Sequence, residues 1–248
     1  MIKPCILIPF YDHGHAIPQV LEEVDAVRQG MSAIVIDDGS ANEHQAALTA
    51  AASLHPWVRI ETRARNGGKG AALKAGYRAA QAAGFSHAVQ IDADGQHDAG
   101  TLPALLDASQ RHPEALILAV PHFENAPIAR QLGRHISTFW VWVETGTRAI
   151  KDPLCGLRSL PLAPTVAILD RTECGDAMDF DPEIAVRLVW DGVPIQNVPT
   201  TVNYPHDGTS HFRMLQDNVL ITRAHTRLVV SMLLRRISAQ FNRAWPTP

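Results

Sequence analysis

The sequence predicts an α/β protein, a doubly wound and mostly parallel sheet with a C-terminal helical extension. Three observations lead there. Short, continuous apolar runs, the mark of strands buried on both faces, alternate with helix-periodic segments from Cys5 to Ile91. Aspartates close three of those runs: Asp12, Asp37 with Asp38, and Asp92 with Asp94. Sheets of this class bind ligands beyond the carboxyl ends of their strands, so three acidic ends on one edge read as a binding site.

The elements follow in order. Cys5–Ile8 is the first strand, stopped at Pro9-Phe10-Tyr11-Asp12. Ile17, Val20, Leu21, Val24 and Val27 recur at helical spacing, and Gly30 ends that helix. Ala33–Ile36 is the second strand and runs into Asp37-Asp38-Gly39-Ser40; a helix from Asn42 to Leu54 follows. A third strand over Trp57–Glu61 leads to the turn Asn66-Gly67-Gly68-Lys69-Gly70 and an alanine-rich helix ending near Ala83. His87–Ile91 is the fourth strand and Leu116–Val120 the fifth. A long helix is expected over Ile128–Ile150, with Arg130, Arg134 and Arg148 facing solvent or a phosphate. Residues Lys151–Arg158 turn into a short strand, and a helix begins at Asp181-Pro182-Glu183 with Asp181 as its cap. Val193–Asn203 gives strand, and the last stretch is helix, so a domain over 1–211 and an extension over 212–248 are expected.

Composition is that of an ordinary globular protein. Of 248 residues, 46% are hydrophobic and 19% charged, and the net charge of -3 shows no basic excess, so nucleic acid is not expected as a partner. Three scattered cysteines (Cys5, Cys155, Cys174) suggest neither a disulfide framework nor a zinc cluster and fit a reducing cytoplasm. The apolar run after Met1-Ile2-Lys3-Pro4 is too soon interrupted by Pro9 for a signal peptide, and no stretch approaches the roughly 20 apolar residues of a membrane span.

The chemistry centres on Val89-Gln90-Ile91-Asp92-Ala93-Asp94-Gly95-Gln96-His97. A buried strand breaks there into a loop that can aim several oxygens at one spot. Such ligands suit Mg²⁺ or Mn²⁺, cations that bridge readily to diphosphates. The alternative is a surface turn with helix-capping aspartates.

These segments together resemble the family 2 glycosyltransferases, in particular the dolichyl-phosphate-mannose-synthase-like branch. Ile8-Pro9-Phe10-Tyr11-Asp12 is similar to that family's opening Pro-x-Tyr-Asn-Glu, and Asp37-Asp38-Gly39-Ser40 matches its second strand end. Asn66–Gly76 matches its Asn-x-Gly-Lys-Gly segment, Asp92–His97 with Pro103 its metal motif, and Asp152–Arg158 is similar to its Asp-x-x-x-Gly-Phe-Arg. The resemblance implies an inverting GT-A glycosyltransferase that uses a nucleoside-diphosphate sugar and a divalent cation. By it, Pro9 and Tyr11 border the base, Asp38 accepts hydrogen bonds from the base, and Asp37 supports the loop. Asp92 lies near the ribose or the metal, Asp94 and Gln96 ligate the metal, and Arg158 joins the donor contacts. Lys69 adds charge to the donor or is an exposed lysine at a helix start. It belongs to no Walker loop, because Gly70 follows it where Ser or Thr is required.

Two departures stand out. The opening Asn-Glu is Asp12-His13 here, and where the branch carries Arg-x-x-Gly-x-Ser-Lys this chain has Tyr204–Arg213, with His206 for the arginine and His211 for the lysine. His206 is expected on the diphosphate and His211 there or in the metal shell. A hydroxyl acceptor would need a general base, whereas a phosphate acceptor is already ionised. Asp181 aligns with the base of hydroxyl-using members, with Asp179 second. The terminal helix, with Leu215, Val219, Leu228, Val229, Met232, Leu233 and Ile237 among Arg223, Arg227, Arg235, Arg236 and Arg243, suits the surface of an anionic membrane or packing on the domain.

The expectation is a transferase acting on a lipid-linked acceptor, cytoplasmic and peripheral at the inner face of the cytoplasmic membrane. A non-catalytic nucleotide-sugar-binding scaffold of the same fold is the alternative. A sugar-nucleotide pyrophosphorylase is disfavoured because Phe10–His13 is not its Gly-x-Gly-Thr-Arg loop.

Overall fold

The computed structural model describes residues 1–122, 128–201 and 214–244. Seven strands form one sheet: β1 (Pro4–Phe10), β2 (Ala33–Asp37), β3 (Val58–Thr62), β4 (His87–Gln90), β5 (Leu116–His122), β6 (Arg158–Pro161) and β7 (Ile195–Thr201). Their order is β3-β2-β1-β4-β6-β5-β7. All pairings are parallel except those of β6, which runs antiparallel to β4 and β5. The expected mostly parallel α/β sheet is what forms.

Strand alternation divides the core into two layers. Ile6, Ile8, Val35, Val89 and Ile117 face one side, where they pack on α1 (Ile17–Val27), α2 (Asn42–Ser53) and α4 (Leu102–Arg111). Cys5, Leu7, Ile34, Ile36 and Leu116 face the other, against α3 (Lys69–Ala82), α5 (Ile128–Thr145), α6 (Leu162–Arg171), α7 (Phe180–Trp190) and α8 (Met214–Ala244). A strand with a helical layer on each face has no solvent side, which is why these runs read as continuously apolar. Burial pushes the thiols of Cys5 and Cys155 up to about 12 and that of Cys174 to about 11, leaving three inert core cysteines.

Three local readings needed correction. The helix expected to reach Ile150 stops at Thr145, where Gly146 turns the chain at φ 68. Two helices, α4 and α6, had no counterpart in the sequence reading, although Leu102, Leu105 and Leu106 (and Leu162, Val166 and Leu169) are spaced for them. Asp181 is not a cap: α7 begins at Phe180 with Asp179 before it, and Asp181 lies inside the first turn. Pro182 is tolerated there because its missing N–H would find no partner in a first turn.

α8 rests on the body through Ile221, Ala224, His225, Leu228 and Met232. A buried chain holds it to α5, with Ser137 Oγ 2.9 Å from His225 Nε2 and His225 Nδ1 2.8 Å from Glu144 Oε1. Its outer side leaves Val219, Val230, Leu233, Leu234 and Ile237 exposed. Among the described residues no helix is long and apolar enough to cross a membrane. The division expected at 211/212 lies outside the described residues, as do His206 and His211.

Candidate active site

The topology fixes where a ligand can enter. β1, β2 and β3 are laid down outward in one direction, and the crossover through α3 then places β4 on the opposite side of β1. A crevice opens at such a switch point, outside the carboxyl ends of β1 and β4. Because β6 runs antiparallel beside β4, with Gln90 opposite Arg158, the residues just before Arg158 arrive at that same end.

The loops at this edge are tied to one another. Asp37 takes the Ser40 amide at 3.0 Å and the Gln45 side-chain amide at 2.9 Å, which ties the loop to the start of α2. Asp38 receives Arg63 and the amides of Gly67 and Gly68, the latter at 2.8 Å, so the acidic loop cradles the glycine turn. Asp12, at φ 53, accepts the Ala41 amide at 2.9 Å and brings the first loop alongside. Pro9 is buried in β1 and Tyr11 is half-buried just beyond it.

Lys69, the first residue of α3, is largely enclosed rather than exposed, with 15% of its side chain reaching solvent. Its Nζ lies 2.8 Å from Asp92 Oδ2 and 3.1 Å from Asp181 Oδ2. His97 Nε2 stands 3.3 Å from the same Asp92 oxygen. Burial disfavours the ammonium, but Asp181 and Asp92 outweigh it and hold the Lys69 pKa above the ordinary value. For Asp92, burial acts to raise the pKa, and Lys69 and then His97 overrule it, keeping the carboxylate ionised. Tyr77 donates to Gln90 Oε1 at 2.6 Å, and the Gln90 amide reaches Asp181 Oδ1 at 3.5 Å. Burial, then Asp181, pushes the Tyr77 phenol up, so it remains a donor. Neither Tyr77 nor Gln90 was foreseen, yet a glutamine inside the apolar run Val89-Gln90-Ile91 was a visible signal of a buried polar task.

Arg158 is fully buried and spends its guanidinium on the carbonyls of Cys155, Pro153 and Asp181, at 2.7, 3.1 and 2.9 Å. It braces the 153–155 turn and the start of α7, so the expected direct donor contact is replaced by a supporting one. Asp179 is buried as well and takes the Ala177 amide at 3.1 Å. Arg134 pairs with Asp152 and Arg148 stacks on Trp142, while Arg130, like Leu215 and Arg243, falls where no side chain is described.

The Asp92–His97 segment is arranged as a turn. Asp94, half-exposed, takes the Gln96 amide at 3.0 Å. Asp92 Oδ1 is buried without a hydrogen-bond partner, and so is His97 Nδ1. A buried carboxylate oxygen with no donor is costly, and an oxygen-seeking cation would relieve it. Among the described residues no three His, Cys, Asp or Glu side chains converge to hold a metal by themselves. Gly156 presses so close that a Cβ there would overlap the Asp92 carboxylate.

Comparison with known proteins identifies the family. The model for "Glycosyl transferase family 2" matches residues 5–170. The undecaprenyl-phosphate mannosyltransferase of Micrococcus luteus is 33% identical over 206 residues, covering 79% of this chain and 81% of that protein. The polyprenol monophosphomannose synthase of Mycolicibacterium smegmatis is 33% identical over 107 residues, 43% of this chain and 40% of that one. Among solved structures, glucosyl-3-phosphoglycerate synthase from Mycobacterium tuberculosis, in complex with Mn²⁺, UDP and phosphoglyceric acid, superposes with a TM-score of 0.68. It covers 93% of this chain and 78% of its own at 15% identity, a likeness of fold. The chain is a glycosyltransferase and belongs to glycosyl transferase family 2.

Proposed function

We propose that this glycosyltransferase moves a sugar, with inversion, from a nucleoside-diphosphate sugar to a polyprenyl phosphate, using Mg²⁺ or Mn²⁺. The observation that carries the reading is the largely enclosed Lys69 ammonium spanning Asp92 and Asp181 at the switch-point crevice. The names of two bacterial relatives, an undecaprenyl-phosphate mannosyltransferase and a polyprenol monophosphomannose synthase, support the acceptor, and the Mn²⁺ complex of the structural neighbour supports the cation.

On this reading Pro9 and Tyr11 flank the base. Asp38 has roughly four lone-pair sites for three protein donors, which leaves one for an N–H of the base. Asp94 and Gln96 would hold the cation with Asp92 beside them, and His206 and His211, outside the described residues, are the further candidates for the diphosphate or metal. A cation held there would supply neutralising charge for the departing nucleoside diphosphate. Lys69 keeps a fixed positive charge next to the same group, at no reorganisation cost during the reaction. Asp181 serves as the counter-ion that aims Lys69. Both oxygens of Asp181 are engaged, one by Lys69 and the other near Gln90 and Arg158, so taking a proton would mean releasing a partner. An acceptor that arrives ionised asks for no such proton transfer.

The test is transfer from GDP-mannose or UDP-glucose to undecaprenyl phosphate in the presence of Mn²⁺, with Asp181→Asn alongside. Labelled lipid should form, and the variant should keep about a tenth of the rate, since a positioned general base is worth 10²–10⁴-fold. No labelled lipid with either donor would sink the acceptor, and a loss beyond about 10³-fold would restore Asp181 as the base of a hydroxyl-using enzyme.

We also place the protein at the cytoplasmic membrane surface through α8, whose exposed Val219, Val230, Leu233, Leu234 and Ile237 alternate with Arg223, Arg235 and Arg236. The protein should float with vesicles containing anionic lipid at low salt and be released at high salt. Remaining at the bottom of the gradient at low salt ends the idea.

A further inference from the structure

We propose that Arg227 of α8 is a positioning residue for sugar transfer, acting on Lys69 through the 175–177 loop. The proposal rests on the assignment of Lys69, Asp92 and Asp181 to the reaction centre. Arg227 Nη2 lies 3.1 Å from Glu183 Oε2 and 3.5 Å from Asp179 Oδ2, so one cation serves two buried carboxylates. Each of those carboxylates holds the same short loop by its backbone. Glu183 Oε2 accepts the Gly175 amide at 2.9 Å, and Asp179 Oδ1 accepts the Ala177 amide at 3.1 Å.

The loop in turn holds the start of α3. The Asp176 carbonyl accepts the Ala71 amide at 3.0 Å, which satisfies one of the first-turn N–H groups that a helix cannot pair itself. A Cβ on Gly68 would stand 2.5 Å from that carbonyl, and one on Gly70 would stand 2.8 Å from the Gly175 carbonyl. The two backbones therefore touch with no side chain between them, and neither moves without the other. Lys69 sits between those glycines.

Glu183 keeps Arg187 on its other oxygen at 2.7 Å, but the two carboxylates share Arg227. Without it, two buried negative charges face each other across one vacated position. They relieve the repulsion by moving apart or admitting water, and either response slackens the loop. Lys69 then spans its two aspartates less well. The path is one of direct contacts from a partly exposed side chain on α8 to the ammonium at the crevice.

The experiment compares Arg227→Gln, Arg227→Lys and Ser137→Ala by amide hydrogen exchange and by steady-state kinetics. Ser137→Ala cuts the Ser137–His225 link between α5 and α8 and touches none of the groups in the path. The kinetics use GDP-mannose or UDP-glucose, Mn²⁺ and a short, detergent-soluble polyprenyl phosphate, so membrane binding plays no part. Arg227→Gln should speed exchange at Ala71 and Ala177 and lower kcat about tenfold with donor KM within about twofold, in the range of coupling a single contact carries. Arg227→Lys should recover most of the rate, and Ser137→Ala should leave both readouts unchanged. Unaltered exchange at Ala71 in Arg227→Gln overturns the proposal. So does an unaltered kcat, or an equal effect from Ser137→Ala, which would make Arg227 a mere anchor of α8. If the wild-type protein transfers no sugar to this acceptor, the acceptor assignment has failed, and the exchange at Ala71 still decides the clamp.

Discussion

Replacing Lys69 with methionine should abolish sugar transfer and lower the unfolding midpoint by about 10 °C, to be read by scanning calorimetry beside the transfer assay. Methionine fills nearly the same volume, so the loss is electrostatic. Lys69 is the shared cation of Asp92 and Asp181, both set back from solvent. Removing one partner of a buried ion pair costs about 3–5 kcal/mol, because the remaining charge has neither water nor a counter-ion. Here two carboxylates lose their nearest cation at once; among the described residues Asp92 keeps only His97 at 3.3 Å and Asp181 only Gln90 and Arg158 at 3.5 and 3.6 Å, and one Asp92 oxygen already lacks a donor. Adding Asp181→Asn should return part of the stability and none of the activity. A Lys69→Met protein that melts like the wild type would show that the cluster is solvated and the ion pairs incidental.

The second large effect is expected from Asp94→Ala. In a thermal-shift titration with UDP or GDP, the increment gained on adding Mn²⁺ should disappear while the metal-free increment stays. The transfer rate should fall on the order of 10²-fold or more, since a cation at a leaving diphosphate supplies several kcal/mol. EDTA treatment of the wild type should reproduce that loss and excess Mn²⁺ should reverse it. Asp94 suits the test because it is half-exposed and, among the described residues, accepts its hydrogen bond from the adjacent Gln96 amide, so alanine there should leave the core intact. A variant that keeps the full Mn²⁺ increment moves the cation away from Asp94.

Much of the acidic sheet edge was legible in the sequence for a simple reason. Strands buried on both faces must be apolar throughout, and their acidic ends, Asp37-Asp38 and Asp92–Asp94, contrast with them in any reading. The helix from Ile17 to Val27 came out to the residue because its buried positions are strictly periodic. What failed to show was pairing between distant segments. Nothing local to Lys69 distinguishes an exposed helix-start lysine from one enclosed by Asp181, and nothing local to Arg158 says that its donors will be absorbed by carbonyls. Asp181 before Pro182 looked like a cap because its immediate neighbours make it one; the cation on α3 overrides them. These are long-range electrostatic choices, and a chain read in order carries no sign of which cation will meet which acid.

The backbone seam between α3 and the 175–177 loop also has a consequence for how the protein is made. Lys74 waits for Cys174, 100 residues behind it, before its ammonium meets that carbonyl. The Ala71 amide waits about as long for Asp176. At roughly 5–20 residues per second, a ribosome leaves the finished donor half idle for about 5–20 s with its α3 turn unpaired. Over that interval Lys69 has Asp92 beside it but not Asp181, so the two-sided clasp should form only late in synthesis, when α7 emerges and the seam closes.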